Sequence, residues 1–351
     1  MTHDISFEYN VPVFAGAPEE GTEPVHRDTP CYERLDWPTT KRGIELAEDL
    51  GFDAVWAPDH LMLGRDNAEY EAWTLLSTIA GFTEDVNVGS LVLCNDYRNP
   101  ALVAKMAATL DVVSDGRLEL GLGAGWHEPE YDAYGWEYRG GFERLMRLDE
   151  GIRLMKRMWD AGSDGADFDG DHYQIEDATC APQPVQDPHP PILVGGTGEE
   201  VTLKLVAKHA DVWNTDVFNG DLDTLEHKIS VIEDHCDTVG RDPDEIEYSW
   251  DGHVICTRDD EKRERLLDLM TPIQFEEEYT DQPDITRDNA DDYFIIGTPE
   301  ECAQAIEDRI ELGVTKFQFW FVDFPDTSGM ELFADEVMPE FTKRADVSEL
   351  L

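Results

Sequence analysis

The chain has 351 residues, 78 of them acidic and 27 basic, for a formal net charge of −51, and it is 41% hydrophobic with 9 Trp, 11 Tyr and 15 Phe. A polyanion of this size repels nucleic acid and anionic membranes, so neither is an expected partner. The aromatic content is ample for a packed core and excludes an acidic disordered chain. No apolar run reaches the roughly 18 residues of a membrane span, and "MTHDISFEYNVPVF" lacks the basic and apolar regions of a signal peptide. The six cysteines include no C-x-x-C pair, which signals neither a zinc site nor a redox dithiol and fits a reducing cytoplasm. The acids are spread along the chain rather than gathered in a tail, as in "FEEEYTDQPDITRDNADDY". That pattern predicts a halophilic cytoplasmic protein, working where salt shortens screening lengths to about 3 Å.

Strand and helix patterns alternate along the chain. "ISFEYNVPVF" (5–14) reads as a strand. A helix over 39–51 carries Ile44, Ala47 and Leu50 on one face, and a short strand follows at 52–60. Next come a helix at 70–82, a strand at 86–95, a helix at 100–116 opened by Pro100, a strand at 117–125 and a helix at 142–159. The second half continues with strands at 190–196, 211–216, 246–256 and 316–322 and helices at 199–210, 222–240 and 261–270. Thr298, Pro299 and Glu301 form a capping box with proline at the first helical position, and "MELFADEVMPEFTKR" closes the chain as a helix. Alternation throughout predicts βαβ units and a parallel sheet. About eight strands make an α/β fold of the (β/α)8 TIM-barrel type the first expectation. An open doubly wound sheet is the alternative, weakened because no G-x-G-x-x-G follows the first strand. The chain reads as a single barrel domain over 1–351, with excursions at about 160–189 and 271–297.

In such a barrel, sites gather at the C-terminal ends of the strands. Those ends offer Asn10, Asp59 and His60, Cys94 and Asn95, Ala124 to Glu128, Gly195 to Gly198, Asn214 and Asp216, Asp251 and His253, and Trp320. Histidine is the natural proton donor or acceptor near neutral pH, and a neighbouring aspartate can fix its tautomer or brace the strand end. In "RLELGLGAGWHEPEY" (117–131), Gly121, Gly123 and Gly125 end a strand and polar groups follow at once, the signature of a close approach by a ligand or another backbone. Gly195-Gly196-Thr197-Gly198 runs from a buried strand into a helix, an anion-binding arrangement, although Glu199 and Glu200 in the first turn oppose an anion. His127-Glu128-x-Glu130 matches no standard metal spacing, so no metal is expected.

Together, "GFDAVWAPDH", "YRNPALVAKMAATLDVVSDGRLELGLGAGWHEPEYDAYG", "HYQIEDATCAPQPVQDPHPPILVGG" and "LVAKHADVWN" resemble the luciferase-like monooxygenase superfamily. The likeness is to its deazaflavin (coenzyme F420)-dependent oxidoreductase branch. The resemblance implies a (β/α)8 barrel and an F420-dependent oxidoreductase that moves a hydride to or from a small organic substrate. An FMN-dependent monooxygenase and a non-catalytic flavin-binding barrel are the alternatives. It further implies that Asp59 and His60 lie beside the ring, with His60 as acid–base group, Asp59 as its orienter and Glu128 as a second acid–base candidate. A cis peptide between Ser90 and Leu91 behind the ring, Gly121, Gly123 and Gly125 below it, and Ala124 and Trp126 facing the pocket follow from the same likeness. Gly195, Gly196 and Thr197 would hold the cofactor phosphate. The chain departs from the family's sugar-phosphate dehydrogenases, carrying Trp126 where they have Glu and Gly64 where they have Trp. The expected partner is a small-molecule substrate, with a homodimer left open.

Overall fold

The computed structural model describes residues 5–16, 29–215, 219–273 and 284–341. Eight parallel strands close into a barrel: β1 (Ser6–Asn10), β2 (Ala54–Ala57), β3 (Asn87–Ser90), β4 (Leu118–Gly123), β5 (Ile192–Gly195), β6 (Val212–Asn214), β7 (Glu247–Cys256) and β8 (Val314–Phe321). Each pairs with the next, and β8 returns to β1 through Ser6↔Lys316 to Tyr9↔Phe319. The main helices are α1 (Trp37–Asp49), α2 (Ala72–Ala80), α3 (Pro100–Ser114), α4 (Glu128–Tyr134), α5 (Gly141–Ala161), α6 (Thr202–His209), α7 (Leu222–Val239), α8 (Asp260–Met270), α9 (Pro299–Ile310) and α10 (Ser328–Glu336), with a single further turn at Ala290–Tyr293. The chain is therefore a (β/α)8 barrel, as the alternation implies. The capping box forms on α9: Thr298 N–H donates to Glu301 Oε2 at 2.8 Å and Glu301 N–H to Thr298 Oγ1 at 3.4 Å.

The period of two along β1 and β8 turns polar residues inward and aromatic residues outward. Phe7 packs on Phe317, Phe319, Phe333 and Phe341 beneath the helices. On the inner face, Lys316 Nζ lies 3.0 Å from both Glu8 Oε1 and Glu119 Oε2. Trp56 Nε1 donates to Glu8 Oε2 at 2.7 Å, and Asn87 Nδ2 to Glu119 Oε1 at 3.0 Å. Burial pushes the Glu8 carboxyl up to about 7, with Lys316 pulling against it. The lumen near the strand N-termini is thus filled by a hydrogen-bonded ionic layer rather than aliphatic side chains.

Two differences from the sequence reading bear on the site. The strand expected over 86–95 breaks after Ser90 and resumes as a two-residue bridge, Leu93–Cys94, paired with Leu122–Gly123 of β4. The cis peptide expected at Ser90-Leu91 instead joins Leu91 and Val92. Leu91 N–H still donates to the carbonyl of Ala57 at 2.9 Å, so the ladder with β2 runs through Leu91 and the chain departs only after it. Within 271–297, a further short strand, Ile295–Gly297, pairs with the end of β7; residues 274–283 of that segment lie outside the described residues. In 160–189, Ala166–Asp169 and Gln174–Ala178 form an antiparallel hairpin.

Candidate active site

The C-terminal ends of the strands enclose a cavity of about 460 Å³. Of the residues singled out in the sequence, Asp59, His60, Leu91, Gly123, Ala124, Gly125, Trp126, Gly195 and Gly196 line it, as do Cys94, Asn214, Asp251 and Trp320. Ser90, Glu128 and Thr197 do not. Ser90 is buried behind the wall, its hydroxyl donating to the carbonyl of Gly121 at 2.8 Å. Glu128 is the exposed first residue of α4 and its side chain does not line the cavity. Asn95 is a brace, its Nδ2 donating to Tyr173 Oη at 3.0 Å, and His253 is buried against Phe294. Asp216 lies outside the described residues.

The glycines of β4 serve a purpose the sequence reading placed one layer too high. A Cβ on Gly121 would lie 1.9 Å from the carbonyl oxygen of Ser90, and one on Gly123 would lie 2.6 Å from Val92 Cγ2. A Cβ on Gly195 of β5 would meet Val92 Cγ1 at 3.0 Å. The three glycines therefore seat the β3 break and the side chain of Val92, which fills the space between β4 and β5. Gly123 and Val92 both border the cavity, so the glycines shape its floor through Val92.

Asp59 is not the orienter of His60. Its side chain is fully buried and accepts a two-pronged pair from Arg98, Nη1 to Oδ2 at 2.7 Å and Nη2 to Oδ1 at 2.9 Å. The amide of Cys94 donates to Oδ2 at 2.8 Å. Arg98 also reaches Glu71, whose carboxylate caps α2 by accepting from Thr74 N at 2.8 Å. Burial works against the Arg98 charge, but Asp59 and Glu71 hold its pKa above the usual arginine range. The acid of the D-H pair is thus a strut tying β2 to the β3 exit.

His60 finds its partner 70 residues away, where Nδ1 lies 3.1 Å from Glu130 Oε2. Glu130 is fully buried in α4, and the Tyr97 hydroxyl donates to the same oxygen at 2.5 Å. The amides of Leu61 and Met62 donate to Oε1 at 2.5 and 2.7 Å. Burial opposes the charge, but His60 first, and then the Tyr97 hydroxyl and the Leu61 amide, hold the carboxyl down to about 2. Tyr97 stacks on Trp136 with centroids 4.6 Å apart, and the His60 ring lies edge-on to Trp126 at 5.4 Å. Cys94, also on the wall, is kept as a thiol because burial pushes it up to about 12.

On the opposite wall, β5 runs into Gly196, whose φ of +119° suits glycine, and the helix begins at Thr202 rather than near Glu199. Glu199 is drawn aside: its Oε1 sits 3.0 Å from His227 Nε2 and 2.6 Å from Lys228 Nζ. Of the two acids that oppose an anion at this turn, Glu199 is thus paired with α7, while Glu200 lies exposed beside it. Deeper in, Asp251 Oδ1 accepts from Asn10 Nδ2 at 2.8 Å and Trp320 Nε1 at 3.1 Å. Arg144 of α5 enters the wall, its Nε donating to the carbonyl of Gly125 at 3.1 Å and its guanidinium lying 4.2 Å from the Tyr138 ring centroid. Sequence reasoning missed Arg144, Arg98 and Tyr97, and met Glu130 only within a rejected metal pattern. The "YRNP" directly after the third strand was the available signal for two of them.

Fold and site define a (β/α)8 barrel whose strand ends hold a cavity with a carboxylate-bound histidine on its wall. The chain belongs to the luciferase-like monooxygenase family, whose model matches residues 18–316. It is 24% identical over 309 residues to the F420-dependent glucose-6-phosphate dehydrogenase of Amycolatopsis mediterranei (strain U-32), covering 84% of this chain and 91% of that protein. Over 201 residues it is 30% identical to the FMNH(2)-dependent dimethylsulfone monooxygenase of Pseudomonas putida, covering 56% of this chain and 52% of that one. A solved F420-dependent secondary alcohol dehydrogenase, in complex with an F420-acetone adduct, superposes with a TM-score of 0.77 at 22% identity, over 97% of this chain and 99% of that one.

Proposed function

We propose that this chain is a coenzyme F420-dependent oxidoreductase that transfers a hydride between the deazaflavin and a small organic substrate. The observation that carries the proposal is the cavity itself, which combines a glycine-backbone floor, a turn before α6 whose Glu199 is paired with Lys228, and His60 on the wall. These residues fit the cofactor. Val92 and the Gly123–Gly125 backbone offer a flat bed for the ring. The Gly196 N–H is spent on the Asn214 carbonyl at 3.2 Å, so the N–H groups for a phosphate are those of Thr197 and Gly198, between the lining residues Gly196 and Thr202 ahead of α6. The cofactor supplies the hydride chemistry; the protein orients, excludes water and moves the accompanying proton. His60 is the group that exchanges this proton with substrate.

Titration of the apo-protein with F420 and with FMN in concentrated salt tests the proposal. Tight F420 binding with hydride exchange is expected. Tight FMN binding with no F420 affinity would favour the monooxygenase alternative, which the dimethylsulfone monooxygenase match supports, and binding without hydride exchange would favour a carrier. In the same titration, Gly123→Val is expected to push Val92 toward the bed. Overpacking of this kind costs about 1–3 kcal/mol, and where that strain falls on the bound state affinity should drop by roughly fivefold to 150-fold. Unchanged affinity would remove the ring from this floor.

The charge of −51 further supports a halophilic, cytoplasmic setting. Self-repulsion of dispersed carboxylates destabilises the compact state until salt screens it. The unfolding midpoint by circular dichroism is expected to climb steeply across a potassium chloride series. A midpoint in dilute buffer equal to that in molar salt would refute the halophilic assignment.

A further inference from the structure

The partners of Glu130 decide more than its own charge. Its carboxylate is fully buried, and each oxygen faces two groups: the amides of Leu61 and Met62 at Oε1, and Tyr97 Oη at 2.5 Å and His60 Nδ1 at 3.1 Å at Oε2. An ionised carboxylate only accepts hydrogen bonds. Every group facing it must therefore donate. Backbone amides and the tyrosine hydroxyl do so by nature, whereas imidazole does so at Nδ1 in only one of its two neutral tautomers.

Resting on the oxidoreductase reading above, we propose that Glu130 is a positioning residue that locks His60 in the Nδ1–H tautomer and reserves Nε2 for proton exchange with substrate. When hydride transfer releases a proton, Nε2 accepts it, and the resulting imidazolium keeps both N–H bonds, one of them to a carboxylate already in place. In the reverse direction Nε2 returns the proton to substrate. The neighbouring acids leave this assignment intact. Asp59 is occupied by Arg98 and the Cys94 amide. Glu69, half-buried nearby, is pushed by desolvation and by the Glu130 charge up to about 9, so it adds no competing negative charge against His60.

The test uses 15N NMR of histidine-labelled apo-protein in concentrated salt, with the His60 signals assigned by their loss in His60→Asn. As pH is raised until the ring is neutral, wild-type His60 is expected to show a protonated Nδ1 and a bare Nε2. In Glu130→Gln the amide oxygen can keep the two backbone donors while its NH2 group faces the ring. Nδ1 must then accept, and the signals are expected to switch to the Nε2–H tautomer. Turnover should fall about 10²-fold or more, within the range of general acid–base catalysis, with KM changed by less than about threefold. A wild-type Nε2–H tautomer, or a tautomer unchanged in Glu130→Gln, overturns the proposal. Should that variant fail to fold, the wild-type spectrum decides by itself, and Tyr97→Phe, which leaves the carboxylate in place, is expected to retain the Nδ1–H form. Because the tautomer is read without cofactor, a wild-type protein that shows it but never turns over F420 overturns the functional reading instead.

Discussion

Replacing His60 with alanine is expected to lower turnover by roughly 10²–10⁴-fold, the usual contribution of a positioned acid–base group, while F420 affinity changes little. The asymmetry follows from position. His60 lies on the cavity wall and its Nδ1 is held by Glu130, whereas the floor and the opposite wall are built from Val92, the glycines of β4 and β5 and the turn before α6. Removing the imidazole takes away a proton carrier and leaves that bed intact. Steady-state kcat set beside the cofactor Kd separates the two effects. A variant that turns over at the wild-type rate would reduce His60 to a packing residue, and a variant that loses the cofactor would place it in the binding bed.

Arg98→Met should cost more in stability than any other single change at the site. It leaves Asp59 fully buried with its charge and only the Cys94 amide to answer it. Breaking a buried pair from one side typically destabilises by about 3–5 kcal/mol, because the remaining ion has neither partner nor water. Glu71 loses the same guanidinium but is partly exposed and keeps its capping bonds, so its share is small. Denaturant unfolding in constant high salt measures the loss, and Asp59→Asn combined with Arg98→Met should recover a large part of it. Additive losses in the double variant would show that the two groups stand independently.

The barrel was legible because its signals are local. Alternation along β1 and β8, proline and Thr298 at helix starts and glycine at helix ends each act within a few residues. The cavity walls were also accessible, since strand ends can be found once strands are. Partnership was not. Asp59 and His60 are adjacent in sequence, yet one turns to Arg98 and the other to Glu130, because consecutive residues at a strand exit point in different directions. Glu130 gives no sign in "HEPEY" that distinguishes it from Glu128; only the packing of α4 against the β2 exit buries one and exposes the other. The same limit hid structural carboxylates among an acidic surface. Glu150 accepts from the amides of Asp171, His172 and Tyr173, and buried Asp111 from those of Val185 and Gln186, anchoring loops that composition alone assigns to solvent.

The ionic layer of Glu8, Lys316 and Glu119, like the Asp59–Arg98 pair, is set in the interior rather than among the surface carboxylates. Lys316, Glu8 and Glu119 are each about nine-tenths or more buried, so added salt screens the exposed carboxylates far more than this pairing. The protein therefore carries an outer set of charges that answers to its medium and an inner set that answers far less. The inner pairs fasten β1, β4 and β8 to one another across the barrel, so the geometry beneath the cavity depends little on the ionic strength outside.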